Sequence, residues 1–344
     1  MTRRTAIVLS CVGLIAMWGA PQSAGADDPE SWAGQKVMMK KAGVKIGHTD
    51  DKGQQVYVAT VNNMVVTVLK ENGDWIRVRQ QGAEGWLVKE DAVLLKDAIA
   101  LFTSRLEKNP NDAFAYAHRG WAYKEKGELA SAIKDMSEAI RLNPKEAAAY
   151  NNRGLAYHDQ KEFDQAILDY TEAIRIDPTL AFAHNNRGLA YEGKQEYPKA
   201  IENYNEAIRL EPKYAEAFNN RGMAYELQKG YEHATEDYTE AIRLEPNYAE
   251  AYNSLAWLLA VCPKDALRNG KKAIEHAKKA CELSDWKNNE FLDTLAAAYA
   301  EDGRFDEAVK WQKKTLADPE FAKTFGDECR KRLKLYEQHK PYRD

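Results

Sequence analysis

A 34-residue repeat is the feature of this sequence that most restricts its fold. Four stretches between residues 113 and 247 carry a glycine, a tyrosine, the segment EAIRL or EAIRI and a proline in the same register. A repeat of this length indicates a stacked array, because a single unit is too small to bury its apolar face without its neighbours. The residues in register are Gly120, Gly154, Gly188 and Gly222, then Tyr123, Tyr157, Tyr191 and Tyr225, then Pro144, Pro178, Pro212 and Pro246.

Each unit is predicted to form two helices. In the second unit, Ile167, Tyr170 and Ile174 fall on one helical stripe, which is the spacing of a buried helix face. Pro178 ends that helix, because its ring clashes with the preceding turn. Gly154 is small at a point where two helix backbones must approach closely.

This pattern resembles the tetratricopeptide repeat, whose signature is W-x2-L-G-x2-Y, then A-x3-F, then P. Arginine replaces the signature leucine in all four units, and tyrosine replaces the tryptophan of the second unit. The resemblance implies a mainly α fold, a solenoid of helical hairpins whose first helices line a concave groove. In the second unit the signature positions hold Tyr150, Arg153, Gly154, Tyr157, Ala166, Tyr170 and Pro178.

Residues 34–93 change from a helical period to a strand period. Five short runs alternate apolar and polar residues and are separated by turn segments such as ENGD, which predicts a small β-barrel. Trp75, Val78, Gly85 and Trp86 resemble the Trp-x-x-Val and Gly-Trp strands of bacterial SH3-like domains. The resemblance implies a wall-polymer or peptide binder. We expect both tryptophans in the core, with an exposed binding platform as the alternative.

Residues 1–26 have the layout of a secretory signal peptide. Arg3 and Arg4 precede an apolar run, and Ala24 and Ala26 form an A-x-A site before Asp27. We therefore expect an exported protein, periplasmic or extracellular after cleavage, with no membrane span once the leader is removed. A retained anchor and lipid attachment at Cys11 stay as alternatives.

The rest of the chain divides into a polar linker, a cap, an array and a tail. Residues 27–33 are the linker, and 94–110 belong to a capping half-repeat whose helix is expected over 91–110. The array occupies 111–320, with four regular and two divergent repeats. Residues 321–344 are predicted as a C-terminal capping helix and tail with a basic outer face at Arg330, Lys331, Arg332 and Lys334.

No pattern in the sequence predicts catalysis, a cofactor or a metal. The net charge of −4 argues against a nucleic-acid partner, which would favour a basic face. Motifs of zinc proteases, nucleotide-binding loops and serine hydrolases are missing from the sequence. His184 is expected in the core, and His118 and His158 towards the groove. Cys262, Cys281 and Cys329 are expected as buried thiols, with a bridge between Cys262 and Cys281 as the alternative.

The candidate binding residues are those that the resemblance places on the first helices. Asparagine pairs recur with the repeat and are expected to point to solvent when the groove is empty. They either grip a peptide backbone or are solvated consensus residues. The predicted groove residues are Asn151, Asn152, Asn185, Asn186, Asn219, Asn220 and Asn253, with Phe114, Trp121, Phe182 and Trp257 as apolar patches and Glu125, Asp159, Glu192, Glu216 and Glu226 as negative charges.

The sequence therefore predicts a non-enzymatic interaction scaffold outside the cytoplasm. Its partner is expected to be a neutral to basic protein segment bound in the concave groove. The alternative is a cell-envelope module, in which the SH3-like domain binds wall polymer and the array is a spacer.

Overall fold

The structure is a computed structural model and describes residues 31–49, 55–60, 65–80 and 83–344. The predicted signal peptide, residues 1–26, and most of the predicted linker lie outside the described residues. The chain divides at residue 177 into two compact units, and the second is Pro178–Asp344. Within the described ranges, no helix combines the length and the apolar character that crossing a membrane requires.

The first unit begins with a small sheet of seven strands in the order β3-β2-β6-β5-β4-β1-β7. Five strands were expected, and β2 and β7 are additional. β7 falls inside the predicted helix over 91–110, and this part of the prediction is wrong. Three residues show no periodicity, and β7 exists because it pairs with β1, with Val37 opposite Leu94. The strands are β1 Lys36–Met39, β2 Lys45–Thr49, β3 Gln55–Thr60, β4 Val65–Asn72, β5 Trp75–Gln80, β6 Ala83–Val88 and β7 Ala92–Leu94.

Helices form the rest of both units, in antiparallel pairs. The first helix of each regular hairpin is short and rich in alanine, and the second carries the EAIR segment. In the first unit they are α1 Leu95–Lys108, α2 Ala113–Glu125, α3 Leu129–Leu142, α4 Ala147–Asp159 and α5 Phe163–Ile176. In the second unit they are α6 Ala181–Gly193, α7 Tyr197–Leu210, α8 Ala215–Leu227, α9 Tyr231–Leu244, α10 Ala249–Val261, α11 Gly270–Leu283, α12 Asn289–Glu301, α13 Phe305–Leu316 and α14 Pro319–Glu337.

α1 packs against the barrel and against the first hairpin. Met38 and Val93 of the sheet share one buried cluster with Phe102 and Leu106 of α1 and with Ala115 of α2. Arg105 of α1 also donates from Nη1 to the carbonyl oxygen of Lys40 at 2.8 Å. The half-repeat helix therefore covers apolar surface on two sides.

The repeated glycine is explained, in the second to fourth regular hairpins, by a contact with a tyrosine of the second helix. A Cβ added to Gly154 would lie 2.7 Å from Cε1 of Tyr170, and one on Gly188 would lie 2.6 Å from Cε1 of Tyr204. Such distances are shorter than carbon atoms tolerate. The ring of the second helix therefore occupies the space that a side chain on the first helix would need.

The arginine that replaces the signature leucine makes a repeated ion pair. Arg153 of α4 donates from Nε and Nη2 to both carboxylate oxygens of Asp169 on α5, at 2.8 and 2.7 Å. Arg221 and Asp237 repeat this geometry between α8 and α9. The bidentate pair ties the two helices of a hairpin together where the family signature uses an apolar contact.

The C-terminal helix α14 is anchored by a buried ion pair. Arg332 donates to Asp293 of α12 from Nη2 at 3.0 Å, and both side chains are almost completely buried. The prediction of Arg332 on a solvated basic face is wrong, because Arg332 follows the buried Cys329 by three residues and lies on the packed side of the helix. Cys329 lies beside it, and Cys262, Cys281 and Cys329 are all buried, as the sequence predicted.

Candidate functional site

The candidate site is the surface formed by the first helices of the second unit, here called the first-helix face. α6 contacts α8, α8 contacts α10, and α10 contacts α12. Glu216, Glu250 and Glu290 are the second residues of α8, α10 and α12. Glutamates at the same helical position in successive units place three carboxylates along one face.

Two of these glutamates repel each other. Glu216 and Glu250 are exposed to solvent, yet crowding by protein raises the pKa of each, and neighbouring glutamates raise it further. The negative charge of Glu245 raises the pKa of both, and the charge of Glu250 raises the pKa of Glu216. In the described part of the chain neither has a cationic partner. The face is therefore an acceptor-rich surface with unbalanced negative charge.

The asparagines lie beneath these glutamates instead of projecting into solvent. Asn185 is completely buried and Asn220 nearly so. Asn220 donates from Nδ2 to Oδ1 of Asn185 at 3.0 Å, and Asn185 donates to Oε1 of Glu216 at 3.4 Å. The expectation that Asn220 points to solvent is wrong, because the first helices pack so closely that their carboxamides bond to one another. Among the described residues, Oδ1 of Asn219 and Oδ1 of Asn253 find no hydrogen-bond partner although both atoms are buried.

The asparagines of the first unit are also buried. Asn151 and Asn152 are both inaccessible, and Asn151 donates from Nδ2 to Oδ1 of Asn152 at 3.4 Å. The expectation of a solvated Asn152 is therefore wrong as well. Asn186, in the second unit, is half-buried. A role for any of these asparagines in ligand binding stays a prediction.

The four predicted apolar groove residues differ in exposure. Phe182 at the start of α6 is 39% exposed. Trp257 of α10 is only 6% exposed, because other parts of the second unit cover it. In the first unit, Phe114 is half-buried and stacks on His118 at 3.7 Å. Trp121 is also half-buried, and no described residue accepts a hydrogen bond from its enclosed Nε1.

Four of the five predicted groove acids have other roles. Glu192 and Glu226 are buried, and each accepts a hydrogen bond from a tyrosine hydroxyl of the following helix, Tyr204 and Tyr238, at 2.9 and 2.8 Å. Burial raises the pKa of Glu192 to about 7. In the first unit, Lys36 pairs with Glu125 at 2.8 Å and Lys124 pairs with Asp159 at 3.0 Å.

Glu216 alone among the five keeps its predicted place, and Glu250 and Glu290 were missed. The signal for Glu250 is in the sequence, since it follows Glu216 by 34 residues. Glu290 is harder to find, because an insertion in the fifth unit breaks the register. Its position becomes clear only when the start of α12 is known.

The three histidines that the sequence analysis singled out are buried. His184 is buried as predicted, whereas the placement of His118 and His158 towards the groove is wrong, since both are buried. Burial lowers the pKa of His118 to about 4. The described residues contain no cluster of histidine, cysteine and acidic side chains with the arrangement of a metal site.

The barrel presents aromatic side chains to solvent. Trp75 is 41% exposed and Tyr57 is 61% exposed, whereas Trp86 is half-buried. The expectation of Trp75 in the core is wrong, because Ile76 and Val78 supply the inward-facing residues of β5. Gly47 lies opposite both Tyr57 and Trp86 and has no side chain to cover their rings.

Stacked helical hairpins with a polar, acidic first-helix face define an interaction scaffold of the α-solenoid class. Comparison with protein-family models assigns the repeats. The chain carries tetratricopeptide repeats and an N-terminal bacterial SH3 domain, as the sequence predicted. Tetratricopeptide repeat models match residues 147–180, 215–248 and 291–318, a TPR repeat model matches 120–161 and 193–229, and a bacterial SH3 domain model matches 48–91.

Solved structures resemble the helical part of the chain. MamA shares 28% identity over 45% of this chain and 91% of its own, with a TM-score of 0.42. PilF of Pseudomonas aeruginosa shares 20% identity over 63% of this chain and 97% of its own, with a TM-score of 0.52. Cut9 in the Cut9-Hcn1 assembly of the APC/C shares 16% identity over 70% of this chain and 46% of its own, with a TM-score of 0.59. Comparison with curated proteins gives no significant match.

Proposed function

We propose that the first-helix face of the second unit binds an extended, basic segment of a partner protein. The observation that carries the proposal is the row of Glu216, Glu250 and Glu290 at the same position of three successive first helices. Glu216 and Glu250 are exposed, repel each other and have no cationic partner among the described residues. A bound lysine or arginine would relieve that repulsion. Repeats of this type are generally non-catalytic, which favours binding over chemistry.

The spacing of the units sets the form of the ligand. Neighbouring helices pack about 8–10 Å apart, and an extended chain rises about 3.3 Å per residue. A basic residue at about every third position can therefore meet one glutamate per unit.

Replacing Glu216 and Glu250 with Gln is expected to weaken binding of a lysine-rich peptide roughly tenfold. Each charge-assisted hydrogen bond contributes about 1 kcal/mol at an exposed site, and two together correspond to a change of more than one order of magnitude. Fluorescence anisotropy with labelled peptides of equal length, in which lysine is stepwise replaced by glutamine, measures the effect. Affinity for the most basic peptide should also fall with added salt.

Glu202 and Glu236 provide a matched control. They are exposed, lie 34 residues apart and stand on the second helices α7 and α9, so the double Gln variant changes the net charge equally on another surface. If the Glu216/Glu250 variant and the Glu202/Glu236 variant bind the lysine-rich peptide equally well, the proposal is contradicted.

The same variants test the alternative function. If both variants still bind envelope polymer and this binding is lost after Tyr57→Ala and Trp75→Ala, the barrel is the binding module and the array a spacer. The exposed aromatic rings of the barrel favour that second function.

We also propose that the protein acts outside the cytoplasm after removal of residues 1–26. The support is the charged start, the apolar run and the A-x-A site at Ala24 and Ala26. Intact-mass analysis of the protein recovered from expressing cells should give a chain that begins at Asp27. A retained Met1, or a lipid on Cys11, would overturn this placement.

A further inference from the structure

The segment 340–344 lies on the first-helix face of the last two units. The backbone N–H of Asp344 donates to the carbonyl oxygen of Val261, the last residue of α10, at 3.1 Å. Arg343 pairs with Glu301, the last residue of α12, at 2.7 Å. The segment thus joins the ends of two neighbouring first helices, where helix carbonyls otherwise lack partners.

A built turn directs the segment to this place. After α14, His339 takes a left-handed backbone conformation with φ of 56°. The N–H of Lys340 then donates to the carbonyl oxygen of Leu335 at 2.9 Å. The ring of His339 stacks on Phe305 of α13 at 5.1 Å, almost parallel. The end of α14 and the stacked ring of His339 therefore fix the point at which the chain turns back towards α10 and α12.

Tyr342 covers the tryptophan that the sequence placed in the groove. Its ring lies 6.2 Å from Trp257, and the guanidinium of Arg332 lies 5.6 Å from the Trp257 ring and 5.5 Å from the Tyr342 ring. Two aromatic rings thus share one buried cation. The indole Nε1 of Trp257 points to the carboxylate of Asp344 at 3.5 Å. Trp257 is an aromatic subsite that the chain itself occupies.

We propose that Trp257, Arg332, Glu301 and the end of α10 form a binding site for an extended segment with an aromatic residue followed by a basic one. The segment 340–344 occupies this site in cis and is displaced by a partner segment of the same chemistry. Like the proposed function, this requires the first-helix face to be a binding surface. The proposed function and this second site are therefore tested with different peptides.

The contacts of the segment are of kinds that a partner segment can replace. They include one backbone hydrogen bond, the approach of the Tyr342 ring to Trp257 and Arg332, the 3.5 Å contact of Trp257 Nε1 with Asp344, and the pair of Arg343 with Glu301, whose arginine is 36% exposed. Tethering raises the local concentration of such a segment to the order of millimolar, which keeps it bound without a large interaction energy. A partner that offers the same groups on a longer segment can compete.

A labelled synthetic peptide of residues 338–344, amidated at its end, tests the site in trans. The variant Tyr342→Ala/Arg343→Ala of the full chain should leave the site open and bind the peptide at least about tenfold tighter than the parent chain. A peptide carrying the same two alanines should bind neither chain. Lys340→Ala, at an exposed position, should behave as the parent.

The proposed site is refuted if the native and the alanine peptides bind the open variant equally well. It is also refuted if the native peptide binds the open variant and the parent chain equally well. Thermal melting checks that the open variant is folded. If it is not, Arg343→Gln removes only the pair with Glu301 and should still raise peptide binding. Loss of charge dependence at Glu216 and Glu250 would refute the proposed function without changing this result.

Discussion

Asp293→Ala is expected to lower the free energy of unfolding by about 3–5 kcal/mol, because it leaves a buried charge without its partner. Arg332 donates to Asp293 from Nε at 3.2 Å and from Nη2 at 3.0 Å, and both residues are inaccessible to solvent. Gln312 donates to the same carboxylate at 2.7 Å. The substitution therefore removes the acceptor that Arg332 and Gln312 share, and with it the acceptor of the Cys329 thiol. Urea unfolding followed by circular dichroism measures the loss.

The double variant Asp293→Ala/Arg332→Met is the control for this prediction. Removing both charges replaces the pair with apolar atoms, which restores most of the lost stability. The burial of Arg332 acts to lower its pKa, and Asp293 together with Cys329 and Tyr336 raises it. If the single and double variants unfold at the same urea concentration, the ion pair is not the source of the loss.

Sequence reasoning identified the fold because the repeat encodes packing directly. The contact of Gly154 with Tyr170 recurs every 34 residues, so a register of small and large residues is enough to pair the helices. Strand β7 was missed because its three residues become a strand only by pairing with β1. Pairings between distant residues leave no period in a sequence.

The site was harder to predict because exposure depends on how closely neighbouring units approach. Asn185 and Asn220 have the spacing of groove residues, and only the structure shows that they bond to each other and are buried. Trp257 has the correct position too, but a segment more than 80 residues later covers it. Glu216 and Glu250 stay exposed because they stand in the first turns of α8 and α10.

The buried Glu192 is expected to cause a second large effect, because the free energy of unfolding should fall as the pH rises. Its carboxyl accepts from Tyr204 through Oε2, whereas the enclosed Oε1 has no hydrogen-bond partner in the part of the chain that the structure describes. The pKa is raised from 4.5 to about 7 in the folded protein. Between these values the folded state binds a proton that the unfolded state has released. Stability therefore falls as the pH rises through this window, by about 3 kcal/mol in total.

Glu192→Gln should remove that dependence, because an amide stays neutral while its carbonyl still accepts from Tyr204. The variant is expected to match the parent near pH 4.5, to gain stability progressively up to pH 7, and to stay about 2–3 kcal/mol more stable above it. Urea unfolding of both chains across this range gives the difference. Glu202→Gln, exposed on the next helix, should give a difference that does not change with pH. A flat difference for Glu192→Gln would mean that the buried carboxylate is stabilised by groups other than Tyr204.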